Sequence, residues 1–191
     1  PRNMTKAAGF YNSIIQTDEP ALIVEPLNGY RVKEKLPINL GEYCYELGKI
    51  EVLKSGKDIS IVSYGSTLNL IIDSVSELNE LGIDVEIIDI QTLIPFDISN
   101  DILLSIKKTN RIIIVDEDVP GGASAYILHK LIDEQGIFNH LDSPPKTITA
   151  KDHRPPYGSD GDYFSKPSVD DIVESIYQIM NESNPKKYPL I

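Results

Sequence analysis

Cysteine is nearly absent from this chain. The single one, Cys44, excludes an internal disulfide and any cysteine-built metal cluster. It lies in GEYCYELG without a neighbouring histidine, so it reads as an inert, part-buried thiol. Long apolar runs are missing too. Stretches such as IIIV at 112–115 are too short to span a membrane, and no signal-peptide pattern opens the sequence. An intracellular, cytoplasmic protein is therefore expected. The chain opens Pro1-Arg2-Asn3 without an initiator methionine, which suggests a fragment or a processed product. Basic charge is also scarce, with 18 Lys and Arg against 29 Asp and Glu and a net charge of −11. That balance repels phosphate backbones and argues against nucleic acid as a partner.

What is present suits one α/β domain with a tail from a neighbour, since 191 residues at 41% hydrophobic content can bury a real core. Residues 5–16 carry Ala7, Ala8, Tyr11, Ile14 and Ile15 at helical spacing. Ala21 to Val24 reads as a short apolar strand. Residues 26–48 have linker composition, and a domain boundary is expected near residue 40. Beyond 49 the pattern is regular. KIEVLKSGKD predicts an edge strand and turn, and DISIVSYG, DVEIIDI, RIIIVDED and KTITAKD predict core strands. Ser66 is expected to cap a helix that Gly82 stops. Ser99 or Asn100 is expected to cap DILLSIKKT, while Pro95 keeps TLIPFD out of any helix. Gly121-Gly122 opens a helix through Ala125, Leu128, Leu131 and Ile132, and Ser168 with Asp171 forms a capping box for VDDIVESIYQIM. The loop 152–168 is long and polar, and NPKKYPLI reads as an extended tail. Strands alternating with such helices imply a mainly parallel sheet covered on both faces.

Ligands of parallel sheets meet the carboxyl ends of the strands. Three ends stand out: Tyr64-Gly65-Ser66-Thr67, Asp89-Ile90-Gln91-Thr92, and Asp116-Glu117-Asp118 leading to Gly121-Gly122. The first could hold an anion at a helix N-terminus, although Ser66 is also simply a good cap. GxGxxG fails, because YG is followed by STLNL. The acidic trio could ligate a hard cation, but strand alternation sends Glu117 away from Asp116 and Asp118, so a loop or interface role is preferred. Gly121 and Gly122 suit a tight turn with close backbone approach. Gly158-Ser159-Asp160-Gly161-Asp162 lacks the ligand spacing of an EF-hand. His129 and His140 read as structural. His153, in the loop AKDHRPPY, has the best chance of meeting a ligand or subunit. No GxSxG elbow exists.

Across DISIVSYGSTLNLIIDSVSELNELGIDVEIIDIQTLIPFD the sequence resembles the C-terminal domain shared by transketolases, 1-deoxyxylulose-5-phosphate synthases and the beta subunits of 2-oxoacid dehydrogenases. The hallmark stretches are Gly82 to Asp89 and Thr92 to Asp97, continued in IIIVDEDVPGGASAYI and SKPSVDDIVESI. The resemblance covers 49–181. Residues 1–30 are similar to the end of the family's pyrimidine-binding domain, and PALIVEPLNGYR resembles the beta-subunit version. HRPPYGSDGDYF departs from the commoner beta-subunit loop and resembles the variant with alpha and beta portions fused.

The resemblance implies a three-layer α/β/α fold with a mostly parallel five-stranded sheet whose first strand is antiparallel. Its domains would be 1–40 (end of the pyrimidine domain plus linker), 41–185 (transketolase C-terminal-like) and 186–191 (tail). It implies a parent enzyme that oxidatively decarboxylates a 2-oxo acid and acylates a lipoyl group, using thiamine diphosphate and Mg²⁺ held elsewhere. The family's Mg²⁺ motif, Gly-Asp-Gly with a downstream Asn pair, is not matched by the Asp-Gly-Asp found here. No catalytic, cofactor-binding or metal residue is therefore carried over, and no cofactor is expected to bind this chain alone. The implied partners are a second copy, an alpha-type domain or subunit, and a lipoyl acyltransferase core. Docking of a basic subunit-binding domain is expected near the last helix, at Asp170, Asp171, Glu174 and Glu182. The rivals are a transketolase or 1-deoxyxylulose-5-phosphate synthase domain, and a stand-alone flavodoxin-like binding module.

Overall fold

The computed structural model describes residues 1–158 and 160–190, with the backbone alone at Asp162. Five strands form one sheet: β1 Glu51–Lys54, β2 Ile59–Ser63, β3 Val85–Asp89, β4 Ile112–Val115 and β5 Lys146–Ile148. Their order is β1-β3-β2-β4-β5. β1 runs antiparallel to β3, with a register shift between Val52 and Lys54, and the other pairings are parallel. The three central strands, ISIVS, VEIID and IIIV, are buried throughout, as strands covered on both faces must be. The fold expected from the resemblance is the fold observed.

Alternation along the strands sorts the core into two layers. Ile59, Ile61, Val85, Ile87, Ile113 and Val115 pack with helices α2 (Thr67–Glu80) and α6 (Val169–Ser183). Val62, Ile88, Ile112 and Ile114 pack on the opposite face against α3 (Asp101–Thr109) and α4 (Ala123–His129). Each fully buried aliphatic side chain contributes roughly 1.5–3 kcal/mol of transfer free energy. The second face also holds a polar thread. The Ser60 hydroxyl meets those of Ser105 and Thr109 at 2.6 and 2.7 Å. Ser105 in turn donates to the buried Glu86 carboxylate, which pairs with Lys108 and accepts the Gly56 N–H at 3.2 Å.

Capping differs from expectation at two helices. Ser66 sits before α2 in helical geometry and its side chain caps nothing. Asn100 precedes α3 in the left-handed region without a cap bond; the cap is Asp97, whose carboxylate accepts the N–H groups of Asp101 and Ile102, both at 2.9 Å. The left-handed turn at 100 puts the side chain of Asp97, rather than of Ser99 or Asn100, beneath the free amides. The Ser168–Asp171 capping box of α6 forms as expected, and Gly82 ends α2 with φ +73°.

Three further expectations fail. Ala21 to Val24 forms no strand among the described residues and is largely exposed. The 184–190 segment is not an extended tail, because a turn at 185–187 brings Tyr188 into the α2–α6 layer, where its carbonyl accepts Asn181 Nδ2 at 2.6 Å. Cys44 is exposed rather than part-buried, and Gln16 Nε2 lies 3.3 Å from its Sγ. Before the sheet, α1 (Met4–Ile15) is capped by Asn3 and packs Ala7 and Phe10 inward. The loop after β5 contains a short helix, α5 (Gly161–Ser165). Among the described residues, no helix is long and apolar enough to cross a membrane.

Candidate functional site

The strand order reverses around β2, so β2 and β4 part at their carboxyl ends and leave the position where open α/β sheets take ligands. Here that position is filled from within. Asp116, fully buried just after β4, accepts the Tyr64 hydroxyl at 2.6 Å, the Asp118 N–H at 3.1 Å and the Ser124 N–H at 2.8 Å. Ser124 lies in the first turn of α4, so its amide is one of the orphan donors that would otherwise attract an anion. Burial, together with the Asp116 carboxylate, pushes the Tyr64 phenol well above its ordinary range, so Tyr64 stays a proton donor. The result is a closed pin tying β2, β4 and α4.

The other acidic side chains at this edge diverge from Asp116. Glu117 is exposed and lies 3.8 Å from Lys166 Nζ and 3.5 Å from Ser66 Oγ. It thereby brings its charge to the N-terminal end of α2. Asp118 turns over Gly122, where an added Cβ would stand 2.3 Å from its Oδ2, and its other oxygen accepts the Val119 N–H at 2.8 Å. Gly121 holds φ +93°, a left-handed value that glycine adopts without strain. No group of three His, Cys, Asp or Glu that could hold a metal ion occurs among the described residues. The strand-end carboxylates already accept N–H, hydroxyl or ammonium donors. They do not fit a diphosphate-bound Mg²⁺, and no chemical step is assigned to them.

At the end of β3, Asp89 is buried, and burial pushes its carboxyl up against the opposing pull of the Gln91 N–H and the Arg2 guanidinium. Gln91 itself holds φ +60°. Its Oε1 accepts Lys6 Nζ at 2.7 Å and its Nε2 donates to the Lys49 carbonyl at 2.9 Å. Arg2 and Lys6 escaped the sequence reading because their partners lie far along the chain. Tyr64 stood out at a strand end, though its pairing with Asp116 did not, and Asp97 could have been found as an Asp shortly before a helix.

The remaining candidates are dispersed. His129 is exposed and pairs with Asp133 at 2.7 Å along α4, which widens into a π-turn at Lys130–Glu134. The His140 carbonyl accepts Asn110 Nδ2. His153 is exposed, with its Nδ1 2.9 Å from the Arg154 carbonyl. Asp171 serves the α6 cap, Asp170 accepts the Tyr163 hydroxyl at 3.2 Å, and Glu174 and Glu182 face solvent. In the 158–162 segment, Ser159 lies outside the described residues. Open grooves lie among the described residues. One of about 370 Å³ lies between α1 and the strap after it, lined by Met4, Ala8, Tyr11, Val32 and Leu36 with Glu25 and Glu34 at its edge. Another, about 310 Å³, lies among Leu70, Tyr163, Pro167 and Val169.

With this geometry in view, relatives locate the chain. The pyruvate dehydrogenase E1 component subunit beta of Mesostigma viride is 34% identical over 174 residues, 91% of this chain and 52% of that protein. The beta subunit of acetoin:2,6-dichlorophenolindophenol oxidoreductase from Bacillus subtilis is 30% identical over 182 residues, covering 95% of this chain and 52% of that one. The chain thus spans about half the length of these relatives. A solved structure titled as a split-gene transketolase, an inactive beta4 tetramer, matches with a TM-score of 0.56 at 20% identity, over 74% of this chain and 45% of its own, which shows a shared fold. The family described as the transketolase C-terminal domain matches residues 48–172, and the chain belongs to that family.

Proposed function

We propose that this chain is the C-terminal part of the beta component of a thiamine-diphosphate-dependent 2-oxoacid dehydrogenase, and that its work there is assembly rather than chemistry. One observation carries this reading. Similarity to dehydrogenase beta subunits runs over 91% of the chain, well beyond the matched domain at 48–172. The parent reaction would be oxidative decarboxylation of a 2-oxo acid with acyl transfer to a lipoyl group. Thiamine diphosphate would supply the carbanion chemistry, held with Mg²⁺ by an alpha-type domain. Residues 1–40 would close the pyrimidine-binding domain. The exposed Leu22, Val24 and Ile38 suit a surface that the rest of that domain covers. The domain at 41–185 would pair with a second copy about a two-fold axis and present α6 to the acyltransferase core.

A stand-alone flavodoxin-like module is disfavoured by Asp116, which takes the amide of α4 that a phosphate would need. A transketolase or 1-deoxyxylulose-5-phosphate synthase assignment is disfavoured by the beta-subunit relatives. The test is reconstitution. The chain is mixed with the upstream half of a related beta subunit, its alpha subunit, thiamine diphosphate, Mg²⁺ and a lipoyl domain. Acylation of the lipoyl domain by a 2-oxo acid should require this chain, and two-carbon ketol transfer in its place would sink the reading.

A further inference from the structure

We infer that Arg2, Lys6, Glu51 and Asp89 form a charge clamp that locks α1 in one orientation on the carboxyl edge of the sheet. The cations all come from α1 and the residues leading into it, and the anions all come from β1 and β3. Lys6 is 5% exposed, an uncommon place for an ammonium unless its partners are built around it. Its Nζ lies 2.8 Å from Glu51 Oε2, 2.7 Å from Gln91 Oε1 and 3.7 Å from the Tyr45 ring centre. Arg2 grips the same Glu51 oxygen at 2.9 Å and reaches Asp89 at 3.7 Å. Gln91 is held in its left-handed conformation with both ends of its amide engaged, one by Lys6 and one by the Lys49 carbonyl.

The chain between α1 and β1 contains two short 3₁₀ turns and is bonded to the far half of α1, where Asn12 Nδ2 donates to the Leu40 and Tyr43 carbonyls at 2.8 Å and Ser13 Oγ to the Tyr45 carbonyl at 2.7 Å. These bonds fix the helix to the strap, whereas Arg2 and Lys6 reach the strands. Apolar contact, Phe10 against Tyr45 at 5.5 Å between ring centres, supplies adhesion but little directional preference. A buried ammonium is directional, because Lys6 turned away from Glu51 and Gln91 would lose its partners while its own surroundings stay largely closed to water. The clamp therefore sets the angle between α1, which lies outside the 48–172 match, and the domain inside it. This holds whether or not the dehydrogenase reading is right.

Hydrogen exchange read by mass spectrometry on the full 191-residue chain tests the clamp. Lys6→Met should speed exchange of the amides of 4–15 by roughly tenfold or more, because it removes the ammonium's contacts with Glu51, Gln91 and the Tyr45 ring, and leave β2, β3 and β4 unchanged. Glu51→Gln, at a part-exposed position, should give a smaller increase in the same segment. The double variant should do less than the sum of the two single changes, because both remove the Lys6–Glu51 pair, while Lys6→Met also frees Gln91 and Glu51→Gln also weakens the Arg2 pair. Unchanged exchange at 4–15 in Lys6→Met, additive effects in the double variant, or acceleration spread evenly over the sheet would each overturn the proposal. Should Lys6→Met not fold, Glu51→Gln and Arg2→Gln carry the same cycle, with the same outcomes deciding it.

Discussion

Residues 49–190 and residues 1–48 solve the burial problem in opposite ways. In the sheet domain, strands supply branched aliphatics to both faces, helices cover them, and two buried carboxylates find partners: Glu86 with Lys108 and Ser105, Asp116 with Tyr64 and two amides. In the first segment only the inner face of α1 is used. Leu22, Val24, Leu27, Val32 and Ile38 stand in solvent, and Ile38 is as open as in an extended chain. A domain that answers its own needs can be stable alone. A segment that answers half of them is shaped for something else to complete it.

The sharpest way to break this contrast is truncation of one side chain in each region. Ile87→Ala should cost about 2–5 kcal/mol, the range for a fully buried aliphatic, while Ile38→Ala should change stability by less than about 0.5 kcal/mol. Urea unfolding of both variants measures it, and equal losses would erase the distinction. A smaller effect separates true from apparent helix caps inside the sheet domain. Asp97→Ala should lose about 1–2 kcal/mol with its two amide bonds, and Ser99→Ala close to nothing in the same urea titration.

Acid should probe the polar thread. Burial works against the ionised Glu86, but Lys108, Ser105 and the Gly56 N–H outweigh it and hold the carboxyl below its ordinary value. A depressed folded pKa stabilises above the unfolded value, about 4.3 for Glu, and that stability is lost as pH falls through the folded value. The advantage of wild type over Glu86→Gln should therefore be full at neutral pH and shrink at about pH 3. Asp89, pushed up by burial, acts in the opposite sense, its penalty easing as pH falls through its raised value. The smallest expected effect is at α6. Glu174→Lys with Glu182→Lys should slow association with a basic subunit-binding domain and flatten its salt dependence, with little change in dissociation. Stopped-flow rates at two salt concentrations decide this, and rates indifferent to both changes would leave those glutamates as a solvated face.

Much of the sheet domain was legible because its signals are local. Short β-branched runs, Gly82 after a helical stretch and Ser168 three residues before Asp171 each act within one turn or strand. What escaped depends on distant partners or on backbone shape. Ser66 looks like a cap in sequence, yet its helical dihedral angles turn the hydroxyl toward Glu117. Asp97 caps because Asn100 adopts φ +56°, which composition does not announce. Ala21 to Val24 has strand composition and no strand beside it among the described residues, so local propensity had nothing to pair with. At the candidate site, the acidic trio was visible, but strand alternation grouped Asp118 with Asp116, whereas Asp116 alone is buried and Glu117 and Asp118 are both exposed. That division depends on Tyr64 and Ser124, 52 and 8 residues away.

The central claim is that this chain assembles an enzyme and does not itself hold the cofactor. Calorimetric titration of the 191-residue chain with thiamine diphosphate and Mg²⁺ tests it most directly. No saturable heat with the cofactor is expected, because the carboxylates at the carboxyl edge are already bound to the chain's own donors. A one-to-one binding isotherm with micromolar affinity would contradict it.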